Sequence, residues 1–528
     1  MALLLFATTL SVVPTRKGGL LTRLQHWKES YLYLGVGLAL FLIFVVPNVF
    51  GFSPWFDETT QFFLSVSPAD TYGVVEFAAI QQQPPIDYYF SQVARIFFGE
   101  NLFSMRVHVL IFCLCFSFKT ALFASREKKN IFLYVIWLSF FLTYSLHAQY
   151  FVEARPLALG ILLSFLCFLE MTKSKNDSQK ISIPLLSWST LLLMTLGYQS
   201  CLFLIAMYLT CLVRDRGHHW LSNFISALLI PGILCLPIWA YIYVQSVPLD
   251  QFRIGNRSGW GILQEHFTVL VRAGIFHYSG ASALAVVLAS LLQKNSLSQS
   301  LKRSIPLLVY VSVFSVLVAL SWTFINWGLY SKYFVLLFSG LFFLVLAEIP
   351  SESFINQKGV LIRKIGFFLF LLLSVVGFWP FFQKNSFDMR HQFLFRPQWN
   401  SIFEHLRAAN ENEMLFSFVE VGQLSAGNYH ELVGRLYQMP EKKWISSRVF
   451  LEKSDDIERG HAETPIYIYL YLSGANNSLP KLLFQYFKNE KQGLRLQFID
   501  RNILMVRFSS GSEAIRFYKY LLDLETNV

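Results

Sequence analysis

The sequence predicts an α-helical polytopic membrane protein of about 11 transmembrane helices, followed by an α/β domain on the extracytoplasmic side. Three observations predict it. Of 528 residues, 54% are hydrophobic and only 15% charged, whereas soluble chains carry about 25% charged residues. Apolar stretches close to the roughly 20 residues that cross a bilayer recur up to residue 382. The charge also divides unevenly: residues 1–382 hold 26 basic and 16 acidic side chains, and residues 383–528 hold 18 and 17. The net +11 is therefore a matter of membrane topology, and neither a nucleic-acid partner nor a soluble cytosolic enzyme fits.

The opening MALLLFATTLSVV is apolar for 13 residues, with Arg16, Lys17, Arg23 and Lys28 after it rather than before it. That order argues against a cleaved signal peptide and suggests an interfacial anchor. Apolar spans follow near 31–50, 105–125, 131–150, 157–172, 181–198, 200–213, 221–245, 274–293, 305–325, 333–348 and 365–382. The stretch 181–213 must hold two short helices joined at Gly197, because one long tilted helix there would reverse everything downstream. Loop charge separates the cases. With the N-terminus inside, the inner loops hold 18 basic residues in six clusters, among them Arg126, Lys128 and Lys129; the outer loops hold only Arg95, Arg155, Arg253, Arg257, Arg272 and Lys332. Basic inner loops set orientation, and an odd count of spans puts the tail outside.

Residues 1–382 are thus read as a transmembrane domain with a large first outer loop at 51–104, and 383–528 as an extracytoplasmic domain. In the tail, RPQWNSIFEHLRAAN (396–410) has helical spacing, while EMLFSFV and IYIYLYL alternate as strands. LRLQFI and ILMVRF flank Asp500, Arg501 and Asn502 as a hairpin, and SEAIRFYKYLLDL closes as a helix with a serine cap. The tail has no nucleophile motif and no glycine-rich phosphate loop. All six cysteines lie in apolar runs, which suggests neither disulfides nor a cysteine metal site.

The residues suited to chemistry lie on the outer side. FSPWFDETTQ places Asp57 and Glu58 just beyond the first span, where carboxylates are costly unless solvated or put to use. One of them could take a proton from a hydroxyl attacking a lipid-borne substrate; a solvated loop is the plainer reading. Further on, QQQPPIDYYF sets two prolines before an aromatic helix start. Arg106 and His108 open the second span, where a snorkelling arginine is ordinary. YFVEARPLALGIL joins the third and fourth spans by a tight turn, bringing Glu153 and Arg155 to the mouth of the bundle. Arg155 could hold a phosphate through paired N–H donors, and Glu153 could pair with it or bind a cation. Lys332 begins the tenth span, where a lysine is commonly only an anchor.

Taken in order, these pieces resemble the GT-C superfamily of membrane glycosyltransferases, in the branch of the protein O-mannosyltransferases, the aminoarabinose transferases of lipid A and related lipopolysaccharide-core transferases. The family pattern runs from an Asp-Glu pair after the first span, through His-Pro-Pro and Leu-Tyr-Tyr, to a Phe-Gly with a later Arg, Glu-Ala-Arg-Pro-Tyr-Ala-Leu and a late Arg-Tyr. Here the counterparts are Asp57-Glu58, QPPIDYY (83–89), FFGENLFSMR (97–106), EARPLAL (153–159) and Lys332-Tyr333. Gln83 stands where the family has His, and Leu157 where it has Tyr. Gln83 keeps hydrogen bonding but gives up proton transfer and tight metal binding, so a divalent cation stays an open question.

The resemblance implies a GT-C-like fold and an inverting transfer of a sugar from a polyprenyl-phosphate donor to a hydroxyl of a lipid, glycan or protein acceptor. It implies Asp57 as base with Glu58 beside it; Arg155, Lys332 and Arg106 at the donor phosphate; and Glu153, Gln83 and Tyr88 in positioning. It also implies a multi-pass protein of the plasma (inner) membrane, with a cytoplasmic N-terminus. A transporter or flippase would instead need ionisable residues near span midplanes, where Lys119 stands almost alone. A lipid-linked polysaccharide polymerase or ligase gives no reason for EARP and Asp-Glu at these positions.

Overall fold

The computed structural model describes residues 20–51, 62–63, 86–143, 157–172, 183–197, 199–214, 220–245, 335–349, 415–420, 436–437, 466–471, 486–487, 495–500 and 503–527, with a few positions between 306 and 317. The predicted spans 274–293 and 365–382, most of 305–325, the N-terminal apolar stretch and the helix at 396–410 lie outside the described residues. The chain divides into two compact units, one of 1–49, 70–90 and 108–386, the other of 50–69, 91–107 and 387–528.

The described residues are mostly helical. α1 (Leu20–Phe44) breaks at Val45 and resumes as α2 (Val46–Gly51). Pro47 accounts for the break, since it has no N–H to give and its ring crowds the carbonyl four residues back. α3 (Ile86–Phe98) precedes α4 (Leu102–Arg126), α5 (Ile131–Thr143), α6 (Leu157–Met171), α7 (Ile183–Met194) and α8 (Gln199–Arg214). α9 comprises Trp220–Phe224 and Ile230–Gln245 joined by a π-turn, Ile225–Leu229, and α10 is Val335–Glu348. Two of these helices, over Leu102–Arg126 and Leu221–Ile242, are long and apolar enough to cross a membrane. Shorter apolar helices cover Ser30–Phe44, Leu157–Met171, Ile183–Met194, Ser200–Val213 and Val335–Ala347. The stretch at 181–213 is two helices, interrupted at Thr195–Gly197.

Within the helical unit, α1 runs antiparallel to α4. The Ser30 and Ser125 hydroxyls are 3.0 Å apart, and seven residues further along α1 a Cβ at Gly37 would lie 3.2 Å from the Ser117 carbonyl oxygen. Between apolar helices in lipid there is little hydrophobic drive, so close approach over small residues and interhelical hydrogen bonds take over. Gly160 plays the same part for α6 and α10, where an added Cβ would stand 3.2 Å from Leu336. Aromatic rings fill the centre: Phe116 stacks on Phe141 at 4.7 Å, and Phe343 lies 5.1 Å from Phe165. Trp137 donates to the Phe342 carbonyl at 2.9 Å, which satisfies an indole N–H that would be costly to bury alone.

One end of this unit is closed by polar contacts. Asn130 caps α5 by accepting from the Leu133 N–H at 3.1 Å. Beside it, Lys129 is buried; its carbonyl accepts from the Tyr33 hydroxyl and its ammonium donates to the Ala347 carbonyl. Tyr33 in the middle of α1, the α4–α5 turn and the end of α10 therefore meet there.

In the second unit, β1 (Leu415–Glu420), β2 (Ile466–Tyr471), β3 (Arg495–Asp500) and β4 (Ile503–Phe508) form one sheet in the order β1-β2-β4-β3. β1 pairs parallel to β2, and the other pairings are antiparallel. β3 and β4 are the hairpin read from LRLQFI and ILMVRF, with an irregularity between Phe498 and Asp500. α11 (Gly511–Asn527) packs on this sheet, Phe517 lying 5.2 Å from Phe508. Ser510 supplies its cap, accepting weakly from the Glu513 N–H at 3.4 Å, while the Glu513 carboxylate accepts from the Ser509 hydroxyl at 2.7 Å. Glu513 thus ties down the residue before the cap, a variant of the capping box in which the carboxylate reaches Ser509 rather than Ser510.

Candidate active site

Two of the residues singled out by sequence, Tyr88 and Arg106, are described. Asp57, Glu58, Gln83, Glu153, Arg155 and Lys332 lie outside the described residues. Tyr88 is buried in the first turn of α3. Its neighbour Tyr89 is half-buried, and burial pushes its hydroxyl above the ordinary value, so it stays a neutral donor. Arg106 is buried completely, in the second turn of α4. It does not snorkel to water as expected of an interfacial arginine. A guanidinium stays charged wherever it sits, and full burial makes it a costly group that needs compensating acceptors.

What aims Arg106 is the corner between α3 and α4. Gly99 adopts φ +74°, the left-handed conformation that ends a helix with least strain in glycine, and its N–H bonds the Arg95 carbonyl at 2.9 Å. Two residues on, Asn101 caps α4: its side-chain oxygen accepts from the Ser104 N–H at 2.9 Å, and its amide donates to the Phe98 carbonyl at 2.8 Å. The Ser104 hydroxyl donates to the Gly99 carbonyl at 2.5 Å. Phe98 and Phe103 meet edge to face at 5.5 Å across the bend. Few freedoms remain, and Arg106 follows two residues after Ser104.

The corner also holds part of the segment predicted as the first outer loop. Gln92 donates to the Phe62 carbonyl at 3.0 Å. Arg95 forms an ion pair with Glu100, its Nε lying 3.0 Å from Oε1, and its guanidinium lies 5.2 Å from the Phe63 ring centre. Arg95 is buried, so this pair is desolvated on the arginine side, unlike an exposed surface bridge. Phe62 follows Asp57 by five positions, so a fixed point of the loop stands close in sequence to the proposed base. Sequence reading took Arg95 only as an outer basic residue and passed over Gln92. An Asn-x-x-Ser spacing after a glycine was the available sign of the corner.

Among the described residues no group of three or more His, Cys, Asp or Glu is placed to hold a metal ion. No protein-family model matches the chain, and no curated protein matches it in sequence.

Proposed function

We propose that this protein is an inverting membrane glycosyltransferase that moves a sugar from a polyprenyl-phosphate donor to an acceptor hydroxyl at the outer face of the plasma membrane. The observation that carries this reading is the ordered set Asp57-Glu58, QPPIDYY, FFGENLFSMR, EARPLAL and Lys332-Tyr333, each falling on the outer side when the basic loops are placed inside. The meeting of Tyr33, near the start of the predicted first span at 31–50, with the α4–α5 turn and the α10 end supports that placement: all three belong to the predicted inner side.

In the reaction, Asp57 takes the proton of the acceptor hydroxyl as its oxygen bonds to the anomeric carbon. The bond from that carbon to the phosphate oxygen breaks, the configuration inverts, and the electron pair leaves on the prenyl phosphate. Arg155, with Lys332 and Arg106, stabilises the charge growing on that phosphate. Glu58 and Glu153 orient the sugar or the acceptor. Their oxygens would also be the ligands of a divalent cation, which prefers such hard donors. The prenyl chain partitions among the spans, and residues 383–528 serve as an extracytoplasmic scaffold or acceptor-binding domain.

The test is transfer from a defined prenyl-phosphate sugar by the purified protein in detergent. Asp57→Asn should abolish transfer while the protein remains folded in membranes, and full activity in that variant would remove the assigned base. Uptake of solute by sealed vesicles without any transfer would make the protein a transporter instead.

A further inference from the structure

The second unit holds an arginine for which the described residues supply no anion. Arg507 lies on β4, flanked by β2 and β3. Its guanidinium lies 5.9 Å from the centre of the Tyr467 ring. Its Nε is shut off from solvent and makes no hydrogen bond, and among the described residues no carboxylate pairs with it. The register sets Arg495 of β3 directly opposite Arg507, and Tyr467 opposite it on the other side. Carried over to β1, that row across the sheet reads Phe416, Tyr467, Arg507, Arg495. It has two positive residues and no acid. Like charges directly opposite on neighbouring strands are destabilising, and a buried N–H left without an acceptor carries a further cost.

We propose that Arg507 and Arg495 form an anion site on this sheet that takes a phosphate monoester. The charge decides the class: two opposed arginines match a group carrying close to two negative charges near neutral pH, which a phosphate monoester does and a single carboxylate does not. A guanidinium presents its donors as a planar fork suited to phosphate oxygens. The Tyr467 ring holds the guanidinium of Arg507 in place from one side. The proposal stands whether or not the chain transfers sugars, so its failure and the failure of the transferase reading are separable.

The experiment uses the full-length protein in uncharged detergent and follows amide hydrogen exchange of peptides covering 495–508, with inorganic phosphate titrated against chloride at constant ionic strength. Phosphate should slow exchange there at least threefold in a saturable manner. Arg507→Gln should abolish the slowing, Arg495→Gln should weaken it, and neither should raise exchange in chloride alone, because each relieves a repulsion. A second arm uses nanodiscs of phosphatidylcholine with or without phosphatidic acid. Protection by the lipid alone assigns the phosphate to a membrane headgroup, and protection by free phosphate assigns it to a soluble ester. No saturable slowing with either probe would overturn the proposal. So would equal loosening of Arg507→Gln with and without phosphate, since that would make the arginine a packing element of Tyr467; if that variant fails to fold, Arg495→Gln decides by the same measurement.

Discussion

The Lys129 ammonium lies 2.5 Å from the carbonyl oxygen of Ala347, 218 residues further along the chain. The last carbonyls of a helix have no intrahelical partner, so a cation at the end of α10 satisfies an orphan acceptor and opposes the negative end of the helix dipole. It also ties the α4–α5 turn to a helix distant in sequence.

Replacing Lys129 with Met keeps the length of the stem and removes the donor. The expected cost is about 2 kcal/mol, the scale of a hydrogen bond to a charged group. Thermal unfolding in detergent measures it. An unchanged midpoint would show that Ala347 is satisfied without the lysine.

Gly340 leaves room for a ring. The Tyr310 hydroxyl donates to the Leu337 carbonyl at 2.7 Å, and any Cβ at position 340 would overlap that hydroxyl. Gly340→Ala should cost about 2 kcal/mol or more by overpacking. Combining it with Tyr310→Ala should cost less than the sum of the single changes, because the truncated side chain vacates the space. Additive costs would show that the two residues do not share it.

At the α3–α4 corner, Asn101→Ala removes the cap of α4 and should lower stability by about 1 kcal/mol. Under the proposed function it should also raise the KM for the prenyl-phosphate donor more than it lowers kcat, since Arg106 is aimed by this turn. Loss of stability with unchanged donor kinetics would leave the corner a structural element and detach Arg106 from the donor.

Alkaline pH should loosen the second unit. Tyr469 is buried on β2, and loss of water there, with Tyr467 beside it, pushes its hydroxyl well above the ordinary tyrosine value. The folded state therefore holds this proton after the unfolded chain has released it. Its contribution is complete below about pH 10, the unfolded value, and is lost as pH rises beyond it. The unfolding midpoint of the full chain should fall above that pH, and less steeply in Tyr469→Phe. Parallel curves for the two proteins would assign the alkaline loss to other groups.

Much of the helical layout was legible because apolar runs are long and basic residues mark their ends. The limits were not. The run at 105–125 begins as a helix at Leu102 because Asn101 caps it, a local hydrogen bond that hydropathy does not register. The first span breaks at Val45 on account of Pro47. In the tail, IYIYLYL showed a strand, but its parallel partner LFSFVE lies about fifty residues earlier, and nothing in either segment names the other. The site was legible only as an ordered set of short motifs. Gln92 reaching back thirty residues to a backbone carbonyl at Phe62 leaves no spacing to read.

The π-turn in α9 has a consequence for the rotation of that helix. Thr190 of α7 donates to the Ser226 carbonyl at 3.3 Å, and the Cys235 thiol reaches the Leu191 carbonyl at 3.8 Å. Nine residues separate Ser226 from Cys235, which in an unbroken α-helix turns them about 180° apart, on opposite sides. The wider turn absorbs one residue and brings the angle to about 80°. Both can then address α7. Deleting a single residue from 225–229 would leave eight steps of regular helix between them, again about 80°, so the far half of α9 would keep its phase against α7: the π-turn is one inserted residue that the packing has absorbed.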